Sequence, residues 1–508
     1  MRYLSPLFIL LLGTCTFSRL SNYGRAPGND GLPTGAQPNI LFIFTDDHAI
    51  DAVGALGNPV IETPNLDRLI NEGTTFTHAY NMGAWQPAVC LASRAMLNTG
   101  RSVWRARELD RRVKNGDTTA MRNNWAPLMQ QAGYATYFSG KWHVAAPAEE
   151  QFETVRHVRP GMPNDNYPFG KMTALFARHA PARPPLDSVQ ALFPPGYNRP
   201  LSVTDTSWYA ADPRYGGFWK GGKHWSEVVG DDGVDFLRAA RGDDRPFFMY
   251  LAFNAPHDPR QAPQEFLDRY AVADMPVPAS FQPRYPYDEQ IGLGPGVRDE
   301  DLAPYPRTQL AVRTHTREYY ALITHLDAQV GRILDALETS GKADNTVVIF
   351  TADHGLAYGK HGLFGKQNLY DHSVRVPLAV KGPGFPAGRR IATDVYLQDV
   401  MPTTLELAGA AVPDDVEFRS LLPVLAGTDL GLPAVYGAYV DKQRSVRQDG
   451  WKLIVYPEAG EERLYHVAED PEELRDLSKN QGNAERMATL RRALKAAAST
   501  VADPLNIR

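Results

Sequence analysis

The sequence is poor in sulfur: its 508 residues include only two cysteines. Two thiols exclude a disulfide scaffold and a zinc site built from thiolates. A basic excess is missing as well. Lys and Arg total 53 against 58 Asp and Glu, a net charge of −5. Binding to nucleic acid or to an anionic membrane surface by phosphate neutralisation is therefore not expected. Membrane-spanning runs are also lacking. The apolar stretch from Leu4 to Leu12 is too short to cross a bilayer, and no later stretch is longer and as apolar. What is present fits a folded chain: 43% hydrophobic and 22% charged residues are globular values. The length suits about three domains, or one large domain and a smaller one, with a sizeable core. Gly 42 and Pro 40 are more than such a chain usually holds, which points to long structured loops.

Arg2 followed by Leu4 to Leu12 has the form of a secretory signal core. Leu12-Gly13-Thr14-Cys15 resembles the lipobox of bacterial lipoproteins, with Thr14 where a smaller residue is usual. Residues 1–15 are thus expected to be a signal peptide, in one reading a lipoprotein signal with a lipid anchor at Cys15. Residues 16–38 read as a flexible tether. The mature protein is expected to be exported, to the periplasm or cell surface, either soluble or lipid-anchored.

From Asn39 onward, apolar runs repeatedly end in polar clusters. Asn39–Thr45 runs into Asp46-Asp47-His48. Tyr134–Phe138 leads to Gly140-Lys141-Trp142-His143. Phe247–Phe253 leads to Asn254-Ala255-Pro256-His257, and Thr346–Thr351 to Asp353-His354-Gly355. Continuous apolar runs suit strands buried on both faces, as in a parallel sheet. Between them lie helical patterns: Thr63 to Gly73 with Pro64 in the first turn, and Arg317 to Ser340 closed by Gly341. The expected fold is α/β, a large mostly parallel sheet sandwiched by helices. Ligands in such folds sit beyond the carboxyl ends of the strands, which would bring all four clusters to one rim. Residues 145–222 interrupt the rhythm and read as a loop insertion near that rim, inside a domain spanning 39–427. Residues 428–508 are expected to form a small C-terminal α+β subdomain: strands at Trp451–Tyr456 and Arg463–Val467, a turn at Ala459-Gly460, and a closing helix from Glu485 to Ala498.

The clusters suggest chemistry. If Asp46, Asp47 and Asp353 converge, three carboxylates cannot all stay ionised without a cation. Oxygen ligands favour Ca²⁺ or Mg²⁺, and the nitrogen of His354 leaves room for a transition metal. Cys90 lies in Ala88-Val89-Cys90-Leu91-Ala92-Ser93-Arg94, followed by Leu97 and Thr99-Gly100-Arg101. This stretch resembles the signature of the type I sulfatases, with Ala92 where proline is commonest. The resemblance runs from about Pro38 to Asn480 and is most like bacterial polysaccharide sulfatases of the alkaline phosphatase superfamily.

That resemblance implies several things. A maturation enzyme converts the cysteine to formylglycine, whose hydrate is the nucleophile. Asp46, Asp47, Asp353 and His354 look like the family's calcium ligands, with residue 90 as a further ligand. Arg94 matches the arginine that orients the formylglycine. Lys141 and His143 match the pair beside the nucleophile, His257 the general acid at the leaving oxygen, and Lys366 a lysine binding sulfate oxygens. His48, His361 and His372 flank these clusters and are candidates either to touch the substrate or to support the residues that do. The implied substrate is a sulfated carbohydrate, such as the algal polysaccharides ulvan or carrageenan, or a glycosaminoglycan. Two alternatives stay open: a phosphodiesterase or phosphonate monoester hydrolase of the same superfamily, and a non-catalytic glycan-binding homologue.

Overall fold

The computed structural model describes residues 37–161, 195–258 and 260–506. The signal, the lipobox and almost all of the tether lie outside the described residues, as does the middle of the 145–222 insertion. No described helix is long and apolar enough to cross a membrane.

An eight-stranded sheet forms the centre. Its spatial order is Arg389–Ile391, Thr74–Phe76, Leu378–Lys381, Thr346–Ala352, Asn39–Thr45, Phe247–Ala252, Ala135–Lys141 and Thr154–Arg159. Only Leu378–Lys381 runs against the rest; the other recorded pairings are parallel. All four apolar runs are strands of this sheet, and the Asn39–Thr45, Ala135–Lys141, Phe247–Ala252 and Thr346–Ala352 strands are buried throughout. Their period of two explains why both faces are apolar. Ile40, Phe42 and Phe44 join one core with Trp125, Phe248 and Tyr250. Leu41 and Ile43 join another with residues of the helices Trp225–Ala240 and Gln309–Ser340. Each such side chain contributes roughly 1.5–3 kcal/mol on burial. Trp125, fully buried, also donates its Nε1–H to Thr404 Oγ1 at 2.8 Å.

Local signals set the helix ends, with two departures. Thr63 precedes the helix Pro64–Glu72 but caps none of its N–H groups. Its hydroxyl instead donates to Asp67 Oδ1 at 2.9 Å. The long helix begins at Gln309, eight residues before the sequence pattern suggests, because Thr308 caps Ala311 N at 3.1 Å. Gly341, at φ +75°, ends it as expected.

The C-terminal stretch forms an antiparallel sheet of Val435–Tyr439, Gln443–Gln448, Trp451–Tyr456 and Glu461–Tyr465. The helix Ala484–Thr500 packs on it through Met487, Leu490 and Leu494. Its fifth strand comes from far upstream. Gly83–Ala84 pairs in parallel with Val435–Tyr439. Gly83 sits at φ +96°, where a Cβ would collide with the carbonyl of Ala438. This pairing ties the chain just ahead of Cys90 to the C-terminal sheet.

Candidate active site

The strand ends place the polar clusters, and the hydrogen-bond ladder continues past them. Asp353 N donates to Thr45 O at 3.1 Å, and Asp46 N to Ala255 O at 3.2 Å. Asp46 and Asp47 follow the first strand, Lys141 ends its own, and Asp353 and His354 follow another. Asp47 and His143 both adopt left-handed backbone conformations, φ 65° and 54°. Such conformations cost on the order of 1 kcal/mol or more and gather at functional sites. Gly140, at φ +103°, lets the Lys141 strand lie against Ala252 O, with no room for a Cβ.

Cys90 stands in the first turn of the helix Val89–Thr99 and is buried. A helix N-terminus favours negative charge. Its Sγ lies 3.3 Å from His143 Nδ1 and 3.6 Å from Lys141 Nζ. Burial pushes the thiol up, but Lys141, His143 and Lys366 outweigh it and hold it well below its ordinary value.

The carboxylates converge as the sequence implies. Single ligand atoms of Asp46, Cys90, Asp353 and His354 all lie within 4.8 Å of one another, and those of Asp46, Asp47 and His257 do likewise. His354 Nε2 is 3.2 Å from Asp47 Oδ1 and 3.4 Å from Asp353 Oδ1. His354 Nδ1 donates to Gly355 O at 2.8 Å, so Nε2 is the atom that faces the acids. Burial, with the Asp46 charge adding to it, lifts Asp353 from 3.8 to about 7. Burial would lower His354, but Asp353 and Asp47 raise it to about 9. Asp46 Oδ1 and His354 Nε2 are buried and make no hydrogen bond among the described residues. Buried acceptors left unpaired are costly, and crowded carboxylates raise one another's pKa. The donor set fits a divalent cation, which would relieve both.

Two lysines sit over these acids. Lys141 Nζ pairs with Asp46 Oδ2. Lys366 Nζ donates to Asp47 Oδ1 at 2.8 Å and lies 3.6 Å from Asp299 Oδ2. Arg94 is placed differently from an oxyanion-binding group. Its Nε donates to Asp353 Oδ2 at 3.0 Å, its Nη1 to Lys141 O at 2.6 Å, and its guanidinium lies 4.7 Å from the Phe44 ring centre. Wholly buried, Arg94 braces the acids and the Lys141 strand from below.

His257 Nδ1 donates to Asp258 O at 2.7 Å, and Nε2 lies 4.0 Å from Asp47 Oδ2. Its neighbours escaped the sequence reading. Asp258 Oδ1 is 3.3 Å from His257 Nδ1, and Asp258 is in turn gripped by Arg298, which also pairs with Asp299. Tyr319 donates to Asp47 O and accepts from Ala49 N at 2.9 Å, fixing the Asp47 turn. Asp258 directly follows the Ala-Pro-His motif and could have been found there. Nothing in the sequence singles out Asp299 or Tyr319.

The three flanking histidines lie apart from the cluster. His48 Nε2 bonds Ala52 O at 3.1 Å, and its ring meets Phe350 edge-on. His361 and His372 stack on Tyr370, with ring centres 4.1 and 5.5 Å away. None of the three hydrogen-bonds to the acids, to Cys90 or to the lysines. His48, like Lys141 and Asp353, is fully buried, and its ring packs on Phe350.

A sheet with helices on both faces, bearing a cluster of carboxylates able to hold a cation and paired lysines at its carboxyl edge, has the alkaline-phosphatase-like fold. The sulfatase family model matches residues 38–410, and the model for the C-terminal part of N-sulphoglucosamine sulphohydrolase matches residues 359–500. The chain belongs to the sulfatase family and is a sulfuric ester hydrolase. An arylsulfatase of Clostridium perfringens is 30% identical over 482 residues, 90% of this chain and 94% of that protein. An N-acetylglucosamine-6-O-sulfatase of Bacteroides thetaiotaomicron is 25% identical over 521 residues, 87% of this chain and 82% of that protein. The solved phosphonate monoester hydrolase of Agrobacterium radiobacter superposes with a TM-score of 0.68 at 21% identity, covering 91% of this chain and 96% of that one, a likeness of fold alone.

Proposed function

We propose that this sulfatase cleaves sulfate esters of a carbohydrate, with residue 90 converted to formylglycine and Ca²⁺ held by Asp46, Asp47, Asp353 and His354. One observation carries the reading: Cys90 lies at a helix N-terminus within 3.6 Å of Lys141 and 3.3 Å of His143, in contact range of the acidic cluster. Formylglycine hydrate would supply two hydroxyls on one carbon, one to attack sulfur and one to expel sulfate by re-forming the aldehyde. A bound cation would supply positive charge to the sulfate oxygens and to residue 90. Mg²⁺ or a transition metal would fill the same donor set less or more readily according to its taste for the His354 nitrogen.

The chain's own residues do the rest. Lys141 and Lys366 present fixed ammonium groups where charge gathers on the sulfate oxygens. Arg94 holds Asp353 and the Lys141 backbone in place, so these groups need not reorganise. His257, oriented through Nδ1 by Asp258, delivers a proton from Nε2 to the leaving oxygen. His143, beside residue 90, receives the proton released as sulfate departs. The carbohydrate reading draws on the N-acetylglucosamine-6-O-sulfatase relative, on the long insertion and on the expectation of export from the sequence of residues 1–15. Ulvan, carrageenan and glycosaminoglycan fragments are the substrates to try. Export through residues 1–15, a lipid anchor at Cys15 and a formylglycine-generating maturation enzyme complete the proposal. The test is a panel of sulfated oligosaccharides, aryl sulfate and aryl phosphate diester. Preferred release of sulfate from a sugar supports the proposal; preference for the phosphorus ester overturns it.

A further inference from the structure

A cavity next to His257 has a wall rich in hydrogen-bond donors. It is lined by Tyr197, Arg199, Trp208, Asp258, Arg260 and His315, with Gly196 and Leu302 closing it. Arg260 is 2% exposed and in no ion pair among the described residues, with the Asp258 and Glu318 carboxylates near enough to favour its charge but not to contact it. Its Nη1 donates to His315 Nδ1 at 2.8 Å. His315 Nε2 is satisfied by the carbonyls of Arg199 and Leu302, at 3.0 and 3.1 Å, so the imidazole offers Arg260 a neutral acceptor and no charge. Among the described residues, Arg260 Nε is buried without a hydrogen-bond partner, and so is Trp208 Nε1. Both are N–H groups that can only donate.

The other charges on the wall are already spent. Arg199 Nη1 pairs with Glu318 Oε1 at 2.8 Å, and its Nε donates to Gly196 O at 3.2 Å. Asp258 is held by both terminal nitrogens of Arg298. Burial pulls the Arg260 guanidinium below its ordinary value, with Asp258 opposing. Among the described residues the cavity therefore has one guanidinium in no ion pair, with the Asp258 carboxylate beyond ion-pair distance, and two donors without an acceptor. A buried arginine without a counter-ion is rarely kept unless something anionic comes to it.

We propose that this cavity is an anion site, filled by a compact anion that accepts from Arg260 Nε and Trp208 Nε1. Two sources share that chemistry: a free halide, or an anionic substituent of the sugar, a second sulfate or a carboxylate, presented alongside the ester being cleaved. The site adjoins the reaction centre through two contacts. Asp258 belongs to both, touching His257 on one side and walling the cavity on the other. Arg260 lies over the ring of Tyr319, whose hydroxyl fixes the Asp47 turn. The substrate arm rests on the sulfated-carbohydrate reading; the halide arm does not.

The full-length matured enzyme is compared with Arg260→Met and with Trp208→Phe, which removes the indole N–H while keeping a smaller aromatic ring in place. One arm measures the melting temperature in sodium chloride against sodium gluconate at equal ionic strength. The other compares kcat/KM for a monosulfated sugar with that for the same sugar bearing a second anionic group. A free-ion site gives a chloride-dependent rise in wild type that Arg260→Met abolishes and Trp208→Phe reduces. A substrate site gives a wild-type preference for the doubly charged sugar that falls roughly tenfold in Arg260→Met, since a charge-assisted hydrogen bond is lost. Turnover of the monosulfated sugar stays near wild type in that case, which separates this result from failure of the sulfatase reading. If Arg260→Met does not fold, Trp208→Phe decides alone. Wild type showing neither response, or both variants keeping the wild-type responses, overturns the proposal.

Discussion

Removing divalent cations should make the stability of this protein fall as pH rises, and restoring them should flatten the curve. Burial, reinforced by Asp46, raises the Asp353 carboxyl from 3.8 to about 7 in the cation-free fold. A carboxyl with a raised folded value binds its proton more tightly in the folded chain than in the unfolded one. Its contribution is whole below 3.8 and is lost as pH rises through about 7. At ~1.4 kcal/mol per pH unit, the shift corresponds to a loss of roughly 4 kcal/mol. His354 acts in the same sense at higher pH: raised from 6.5 to about 9, it loses its contribution as pH climbs through that upper value. Asp46 is depressed instead, by Lys141, His257 and Arg94 against burial, so its contribution is lost only in acid. A bound cation keeps Asp353 ionised at no such cost. With ~2.1 cal/mol/K of unfolding entropy per residue, each kcal/mol is worth about 1 °C in a chain of this size. Only about two pH units of the Asp353 shift fall between about pH 5 and about pH 8, so the melting gap between calcium-loaded and chelator-treated protein should widen by roughly 2–3 °C over that window from Asp353 alone. Thermal melts at one scan rate in both buffers measure it. A gap of equal size at the two pH values, or none at either, would refute the assignment of this cluster as a cation site.

Other perturbations test other residues. Replacing Cys90 with Ser should abolish turnover while leaving the melting temperature and its calcium response close to wild type; near-normal turnover would contradict the nucleophile assignment. His257→Ala should slow sugar sulfates more than activated aryl sulfates, because a poor leaving group needs the proton most. Equal losses on both substrates would remove the general-acid role. Arg94→Met should destabilise the fold by roughly 3–5 kcal/mol, since it leaves Asp353 and Asp46 buried without their guanidinium. A denaturant midpoint equivalent to less than about 1 kcal/mol of loss would show that Arg94 does not brace the acids.

The fold was legible where chemistry repeats locally. Asn39–Thr45 and Thr346–Ala352 announce themselves because a strand buried on both faces must be apolar at every position, and their trailing aspartates mark the rim. Long-range pairing left no such trace. Two residues, Gly83 and Ala84, complete a sheet built some 350 positions later, and nothing in so short a segment declares its partner. The start of the long helix was set by the Thr308 cap, a signal that apolar spacing alone passes over. At the site, the acids, Cys90 and the lysines were readable from motifs. Their bracing was not. Asp299, Arg298 and Tyr319 are ordinary residues in sequence and become important only through what folding sets beside them. Arg94 shows the same limit: the motif names it, but only the structure reveals that its donors are turned toward Asp353 and the Lys141 backbone.

Hydrolysis of a sulfated sugar by an enzyme whose residue 90 has been verified is the most direct test of the central claim. Protein from a host with the maturation enzyme is digested, the mass of the peptide spanning residue 90 is read, and the same preparation is assayed for sulfate release from defined sulfated oligosaccharides. The account predicts an aldehyde in place of the thiol and sulfate release that scales with the fraction converted. Turnover at full rate by protein that keeps its cysteine, or complete conversion with no sulfate released from any sulfated sugar while phosphate diesters are cleaved, would contradict it.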